Sequence, residues 1–289
     1  MLNDILTNLG ASALVLIICL TALWAISMKV RDASIIDIFW GAGFAIVALV
    51  CLLLSEVRTP FIWLLAGMPL IWGIRLSAYL AKRNLGHGED KRYVAMRKRS
   101  GLEEMAWRKR AFFRVFLGQG LLILIVSAPV WVGVATGFPD ITLEGASLTP
   151  EWQWLTKTGL TAIALVGAAL WLIGFLFEAV GDAQLAAFLK KNKGYDGPPE
   201  NKPVMNTGLW KYTRHPNYFG NACMWWGIFL VACQAPFGWT TFLGPLIMNL
   251  LLVKVSGKDL LERTMGKRPA YQDYIKRTSG FFPLPPKKG

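Results

Sequence analysis

The sequence predicts an all-α integral membrane protein of seven transmembrane helices, with its N-terminus outside and its C-terminus in the cytoplasm. Three observations predict it. Of the 289 residues, 54% are apolar and 17% charged, and the mean hydropathy is +0.41; soluble domains carry about 25% charged residues. Apolar runs recur that are long enough, at about 1.5 Å per residue, to cross roughly 30 Å of hydrocarbon. Finally, no alternating pattern of a membrane barrel is present, so helices are the spanning form.

The spans run from Ala11 to Met28, Ile35 to Leu54, Phe61 to Leu80, Ala111 to Val134, Leu160 to Gly181, Asn217 to Gln234 and Phe237 to Val255. No basic residue precedes Lys29, so the first run lacks the positive region of a signal peptide and is expected to stay in the mature protein. Loop charge gives the orientation. The segment Ala81 to Arg110 holds ten Lys and Arg, Asp182 to Pro216 holds six, and the tail from Lys254 holds nine, together 25 of 31. An odd number of spans puts all three on the cytoplasmic side, where such residues accumulate. The loop from Ala135 to Lys157 carries Asp140, Glu144 and Glu151 against one lysine, and Trp131, Trp152, Trp154 and Trp239 are expected at the outer interface.

With 31 Lys and Arg against 18 Asp and Glu, the net charge is +13, which points to membrane lipid or an anionic ligand, with no nucleic-acid partner expected. Cys19, Cys51, Cys223 and Cys233 lie inside apolar runs, and His87 and His215 are the two histidines, so no metal site is expected. No internal repeat is visible. The reading is one membrane domain over residues 1–289, acting as a monomer. Its early spans, 11–80, form a substrate side, and 178–289 with the loop 81–110 form a cofactor side.

Charged groups inside a span cost about 2.5 to 3.5 kcal/mol on insertion scales, so each invites a functional reading. They are Asp37, Arg75, Arg114, Glu178 and, at span edges, Asp182 and Arg214. Arg114 can snorkel to the interface. Arg75, with Tyr79 one turn on, is a candidate buried partner for Asp37, either as a structural pair or as a site. Glu178 and Asp182, four residues apart, share a helix face and repel, so cations or ligand hydroxyls must compensate them. The polar loop Gly86 to Tyr93 is a membrane-surface loop or a phosphate-binding element.

The segment from Gly208 to Asn221 contains Arg-His-Pro-Asn-Tyr-Phe-Gly. Pro216 suits the first position of a helix, whose unpaired backbone donors favour anions. Arg214 and His215 stand just outside it, and Asn217, Asn221 and Trp225 follow at i, i+4 and i+8. The two amides need partners in hydrocarbon. A flat, polar, anionic ligand entering from the cytoplasm fits this arrangement.

That block, with the Trp-Trp-Gly after it, the basic tail with Tyr271 and Tyr274, Asp37-x-x-Trp40-Gly41 and the Gly-x-Gly-Glu-Asp-x-Arg-Tyr loop, resembles the steroid 5α-reductase family in a bacterial form. The resemblance implies an enzyme of the bacterial inner membrane that uses NADPH to reduce the C=C of an α,β-unsaturated ketone such as a 3-oxo-Δ4 steroid. It places the family's cofactor asparagine on Asn217 and a glutamate on Asn221. An Asn–Asp pair falls on Glu178 and Asp182, and a tail base on Lys258. Of the glutamate and tyrosine that hold the steroid ketone in mammalian members, the first falls near Asp37; the second has no tyrosine at its place, Trp72 being closest by spacing and Tyr79 two turns further on. The same Arg-His-Pro block also occurs in membrane methyltransferases that use S-adenosylmethionine; their tails carry two adjacent glutamates, where this chain has Leu261-Glu262-Arg263. A non-enzymatic lipid-binding scaffold is the third class.

The expected reductase holds NADPH through Arg83, Arg92, Tyr93, Arg214, His215, Tyr218 and Lys258, with its ribose groups near Glu178 and Asp182 and its nicotinamide along Asn217 and Asn221. Asp37 as a neutral donor, with Arg75 or Tyr79, serves the developing oxyanion. Trp40, Trp72 and Trp225 line the path of an apolar enone entering from the bilayer.

Overall fold

The computed structural model describes residues 1–137, 160–255 and 258–287. Most of the expected loop from Ala135 to Lys157, with Asp140, Glu144, Glu151, Trp152 and Trp154, lies outside the described residues. Among those described, every regular element is helical, apart from one isolated parallel bridge between Thr213 and Ser279. In chain order the α-helices are α1 (Leu2–Val30), α2 (Ile35–Leu54), α3 (Pro60–Asn84), α4 (Lys91–Ser100), α5 (Glu104–Ala111), α6 (Gly118–Val126), α7 (Ala128–Thr136), α8 (Ala162–Lys191), α9 (Pro216–Ala232), α10 (Leu243–Leu250), α11 (Lys258–Met265) and α12 (Pro269–Arg277).

Four helices, α1, α2, α3 and α8, are long and apolar enough to cross a membrane. The pair Glu104–Val126 and Ala128–Thr136, bent by 48° where they meet, passes the same test only when taken together, as a broken fifth span or a re-entrant loop. The bend falls at Ser127, immediately before Ala128-Pro129, where proline removes a ladder donor. The stretch expected as a sixth span is the 17-residue α9. The stretch expected as a seventh is divided into a 3-10 turn (Gly238–Phe242), α10 and a π turn (Leu251–Val255).

By internal contacts the chain divides into two compact units, Met1–Leu165 with Ile228–Gly244, and Val166–Gly227 with Pro245–Gly289. In the first, α2 and α3 meet at glycine. A Cβ on Gly41 would strike the Gly73 carbonyl and come within 2.9 Å of Ser77 Oγ. Ser77 Oγ bonds across this close approach, donating to the Ile38 carbonyl at 2.7 Å and accepting from the Ala42 N–H at 2.7 Å. Around it Phe44, Phe61, Leu65, Trp72, Phe116 and Ile123 are fully buried.

In the second unit α8 and α9 use the same device, repeated every seven residues. Gly167, Gly174 and Gly181 of α8 lie against Gly227, Gly220 and the Pro216-Asn217 turn of α9. Small residues at such spacing let helix backbones approach closely where lipid gives no hydrophobic drive. Trp210 extends the contact below the helix start by donating its indole N–H to the Gly181 carbonyl at 3.0 Å.

Candidate functional site

The α8–α9 contact carries two polar rungs. Asn221 donates through Nδ2 to Glu178 Oε2 at 3.0 Å, and Asn217 Nδ2 to Asp182 Oδ1 at 3.2 Å. The i, i+4 acids of one helix are therefore met by the i, i+4 amides of the other, which supplies part of the compensation those carboxylates require. Glu178 is 3% exposed, Asp182 4% and Asn221 7%. Asn221 Oδ1 is buried without a protein donor, and leaving such an acceptor unpaired costs about 1 to 3 kcal/mol.

Before the start of α9, Arg214 and His215 converge on Glu262 of α11. Arg214 meets its carboxylate with two parallel bonds, Nε–Oε1 at 2.9 Å and Nη2–Oε2 at 3.1 Å, and His215 Nε2 lies 3.0 Å from Oε1. Lys258 Nζ stands 3.9 Å from Oε2. The remaining Arg214 amino group, Nη1, donates to the Thr278 carbonyl at 2.5 Å and the Ile275 carbonyl at 3.3 Å. Thr213 Oγ1 donates to the Phe281 carbonyl, and Tyr274 donates its hydroxyl to the Trp210 carbonyl. His215 also stacks on Tyr218, with ring centroids 5.2 Å apart. Arg214, expected to face phosphate, thus spends most of its donors on tying the C-terminal segment to the turn.

Burial holds His215 below the ordinary imidazole value, against the opposing pull of Glu262. Burial would raise Glu262, but its bonds from His215 and Arg214 win and bring the carboxyl from 4.5 down to about 2. Burial and then the Glu262 charge push the Tyr271 phenol up to about 12. Both the His215 and Glu262 shifts are depressions, so below their ordinary values the unfolded chain binds more protons than the folded one. Stability from this cluster is full above about pH 6.5 and falls on acidification, with the Glu262 share lost between 4.5 and about 2. Unfolding midpoints of detergent-solubilised protein across this range should decline accordingly. Glu262→Gln should flatten the lower part, and an unaltered slope in that variant would contradict the assignment.

The first unit holds a second cluster. Both Asp37 oxygens are engaged, Oδ2 by Arg92 Nη2 at 2.6 Å and Oδ1 by the Tyr93 hydroxyl at 2.6 Å. Gln119 donates to the Tyr93 oxygen at 3.2 Å and accepts from the Trp40 indole. The Arg75 guanidinium lies over the Tyr79 ring, 5.3 Å from its centroid, and Arg83 over the same ring at 5.7 Å. Asp37 is therefore held by α4 side chains, whereas Arg75 was the partner expected from its position in the neighbouring span. Trp72 packs on Phe44 and is 1% exposed, and Trp225 is fully buried in the second unit.

Sequence reasoning left Glu262, Gln119 and Ser77 without these roles. Glu262 follows Lys258 by four residues, a spacing that marks a helix surface pair but gives no sign of Arg214, 48 positions upstream.

The pattern of the family described as "Protein of unknown function (DUF1295)" matches residues 23–278. The fission yeast Schizosaccharomyces pombe (strain 972 / ATCC 24843) has a similar protein, described as "Uncharacterized protein C594.04c", 23% identical over 282 residues that cover 90% of this chain and 75% of the yeast one. No solved structure matches. The matched region takes in both rungs, the Arg214–His215–Glu262 cluster and Asp37, and the chain belongs to the DUF1295 family, part of the broad steroid 5α-reductase-like superfamily.

Proposed function

We propose that the chain is a membrane oxidoreductase that uses NADPH to reduce the C=C of an α,β-unsaturated ketone, with 3-oxo-Δ4 steroids as the substrate class. The observation that carries this reading is Asn221 Oδ1, a buried acceptor without a protein donor, set beside the Glu178 and Asp182 carboxylates. A nicotinamide carboxamide has the N–H donors that this acceptor lacks, and ribose hydroxyls are natural donors to carboxylates. These residues fit the group. Asn221 would orient the carboxamide, Glu178 and Asp182 the ribose hydroxyls, and Lys258 the phosphates, while Arg214 and His215 hold the turn on which α9 begins. When bound, NADPH supplies a hydride for the β carbon of the enone. Negative charge then grows on the ketone oxygen and requires a donor. Both Asp37 oxygens already accept bonds from Arg92 and Tyr93, which does not suit Asp37 as a neutral donor.

In this reading the chain crosses a bacterial inner membrane seven times as a monomer, with α9 and the stretch from Phe237 to Val255 as the last two spans and the N-terminus outside.

The test is thermal unfolding of purified, detergent-solubilised protein with NADPH, NADH or S-adenosylmethionine. A ligand at a hundred times its Kd stabilises by about 2.7 kcal/mol, so NADPH should raise the midpoint clearly and NADH less. Protection by S-adenosylmethionine alone would replace the reductase with a methyltransferase, and protection by none of the three would remove the nucleotide site.

A further inference from the structure

The segment between α3 and α6 is built as an elbow. Helix α4 ends at Gly101, which takes the left-handed conformation (φ 61°) and donates to the Lys98 carbonyl at 3.3 Å. Helix α5 starts three residues later and continues through a π turn (Phe112–Leu117) into α6, so it enters the apolar span without a break. Its last basic residues, Lys109 and Arg110, precede Gly118 by eight or nine positions, about 12 to 13 Å along the axis. They directly precede the apolar run that begins at Ala111, the position where basic residues flank a span.

Both helices bury one face within their own unit. Tyr93 of α4 is 6% exposed, and Trp107 and Ala111 of α5 are each 4% exposed. The rest of the segment, from Lys91 through the linker to the π turn, is largely open and carries two kinds of side chain. Lys91, Lys98, Arg99, Lys109, Arg110 and Arg114 are exposed cations. Among them stand Met96 (46% exposed), Leu102 (38%), Met105 (62%) and Phe113 (64%).

The acids of the segment do not balance those cations. Glu89 pairs with Arg97, Asp90 with Arg92 and Glu104 with Arg108, so three of its four acids, Glu103 excepted, are engaged by arginines other than the six exposed cations.

We propose that the α4–α5 elbow is a binding surface for anionic phospholipid headgroups of the adjoining leaflet. Its methionine, leucine and phenylalanine side chains enter the acyl boundary, while the surrounding lysines and arginines engage phosphate. Unpaired cations and exposed apolar groups along one juxtamembrane segment suit this partner, since each base near an anionic membrane surface contributes about fivefold to binding. A soluble acidic protein would satisfy the cations but leave Met96 and Met105 in water. This inference is independent of the nucleotide reading.

The experiment uses the full chain, equilibrated in mixed micelles with phosphatidylglycerol and phosphatidylcholine, and counts retained lipids by native mass spectrometry. Phosphatidylglycerol should be retained at least tenfold over phosphatidylcholine, and high salt should shrink the preference by screening. The combined Lys98→Gln, Arg99→Gln, Lys109→Gln and Arg110→Gln variant should lose most of the preference. If that protein does not fold, the separate pairs Lys98→Gln/Arg99→Gln and Lys109→Gln/Arg110→Gln should each lose part of it. Met96→Ser with Met105→Ser should lower retention of both lipids and leave their ratio unchanged. Equal retention of the two lipids by the wild type overturns the proposal. So does a preference unchanged in the folded charge variants, or binding of soluble polyglutamate with no lipid preference.

Discussion

Glu262→Ala should cost about 3 to 5 kcal/mol of stability, the range for removing one partner of a buried ion pair. The Arg214 side chain is 9% exposed and that of His215 4%, while Glu262 itself is 17% exposed, too buried for solvent to replace the lost carboxylate. Without it the guanidinium keeps its carbonyl acceptors at Thr278 and Ile275 but loses its counter-charge. The consequence should extend along the tail, because the backbone bonds from Arg214 to Ser279 and from Leu284 to Tyr212 depend on the same turn. Denaturant titration in mild detergent measures the loss, and proteolysis should show earlier cleavage after Lys276 or Arg277. The pair Arg214→Met with Glu262→Leu should recover most of the stability, since replacing both charges by apolar groups of similar size is often neutral. A single-variant loss below about 1 kcal/mol, the level of an exposed pair, would show that the cluster is solvated.

Gly220→Val should be at least as damaging, at about 3 kcal/mol or more, because overpacking here meets backbone where no side chain can yield. A Cβ on Gly220 would collide with the Gly174 carbonyl, lie 2.6 Å from the Glu178 nitrogen and 3.1 Å from Phe177 Cβ. Helices α8 and α9 would have to part, and the Asn221–Glu178 rung next to the substitution would open. Gly67→Ala is the matched control. Nothing lies within 4 Å of a Cβ there, so the change should be neutral or stabilise by up to about 1 kcal/mol through helix propensity. Similar unfolding midpoints for the two variants would deny the close contact.

The early helices were legible because their apolar runs end at strong local signals. Ile35–Leu54 has the expected bounds, and α3 begins one residue earlier than expected, at Pro60, behind a Thr59 side chain that caps it. Helix α1 starts nine residues before its apolar run because nothing among Leu2 to Gly10 interrupts a helix; Asn8 is buried there and donates to the Trp131 carbonyl. Hydropathy alone averages over breaks. It runs across Ser127, next to Pro129, and across the change from 3-10 to α geometry between Gly238 and Pro245, where composition stays apolar. Helices α4 and α12 were missed because they are too polar to register as spans.

For the site, helical spacing predicted that Glu178 and Asp182 share a face and that Asn217 and Asn221 share another. That the two faces meet depends on the glycine contacts between distant segments, which no local pattern reports. The carboxylate opposite Arg214 and His215 was hidden for the same reason.

A wall made of main chain has little freedom to adapt. Sliding α9 along α8 by a single position would drive a side chain into a carbonyl at the Gly174–Gly220 and Gly167–Gly227 contacts, so their relative phase is locked. The amide and acid groups beside those glycines are therefore spaced before any guest arrives. A guest that matches that spacing gives up its own freedom and demands little reorganisation from these two helices, and one that is too long or too short cannot induce a fit there.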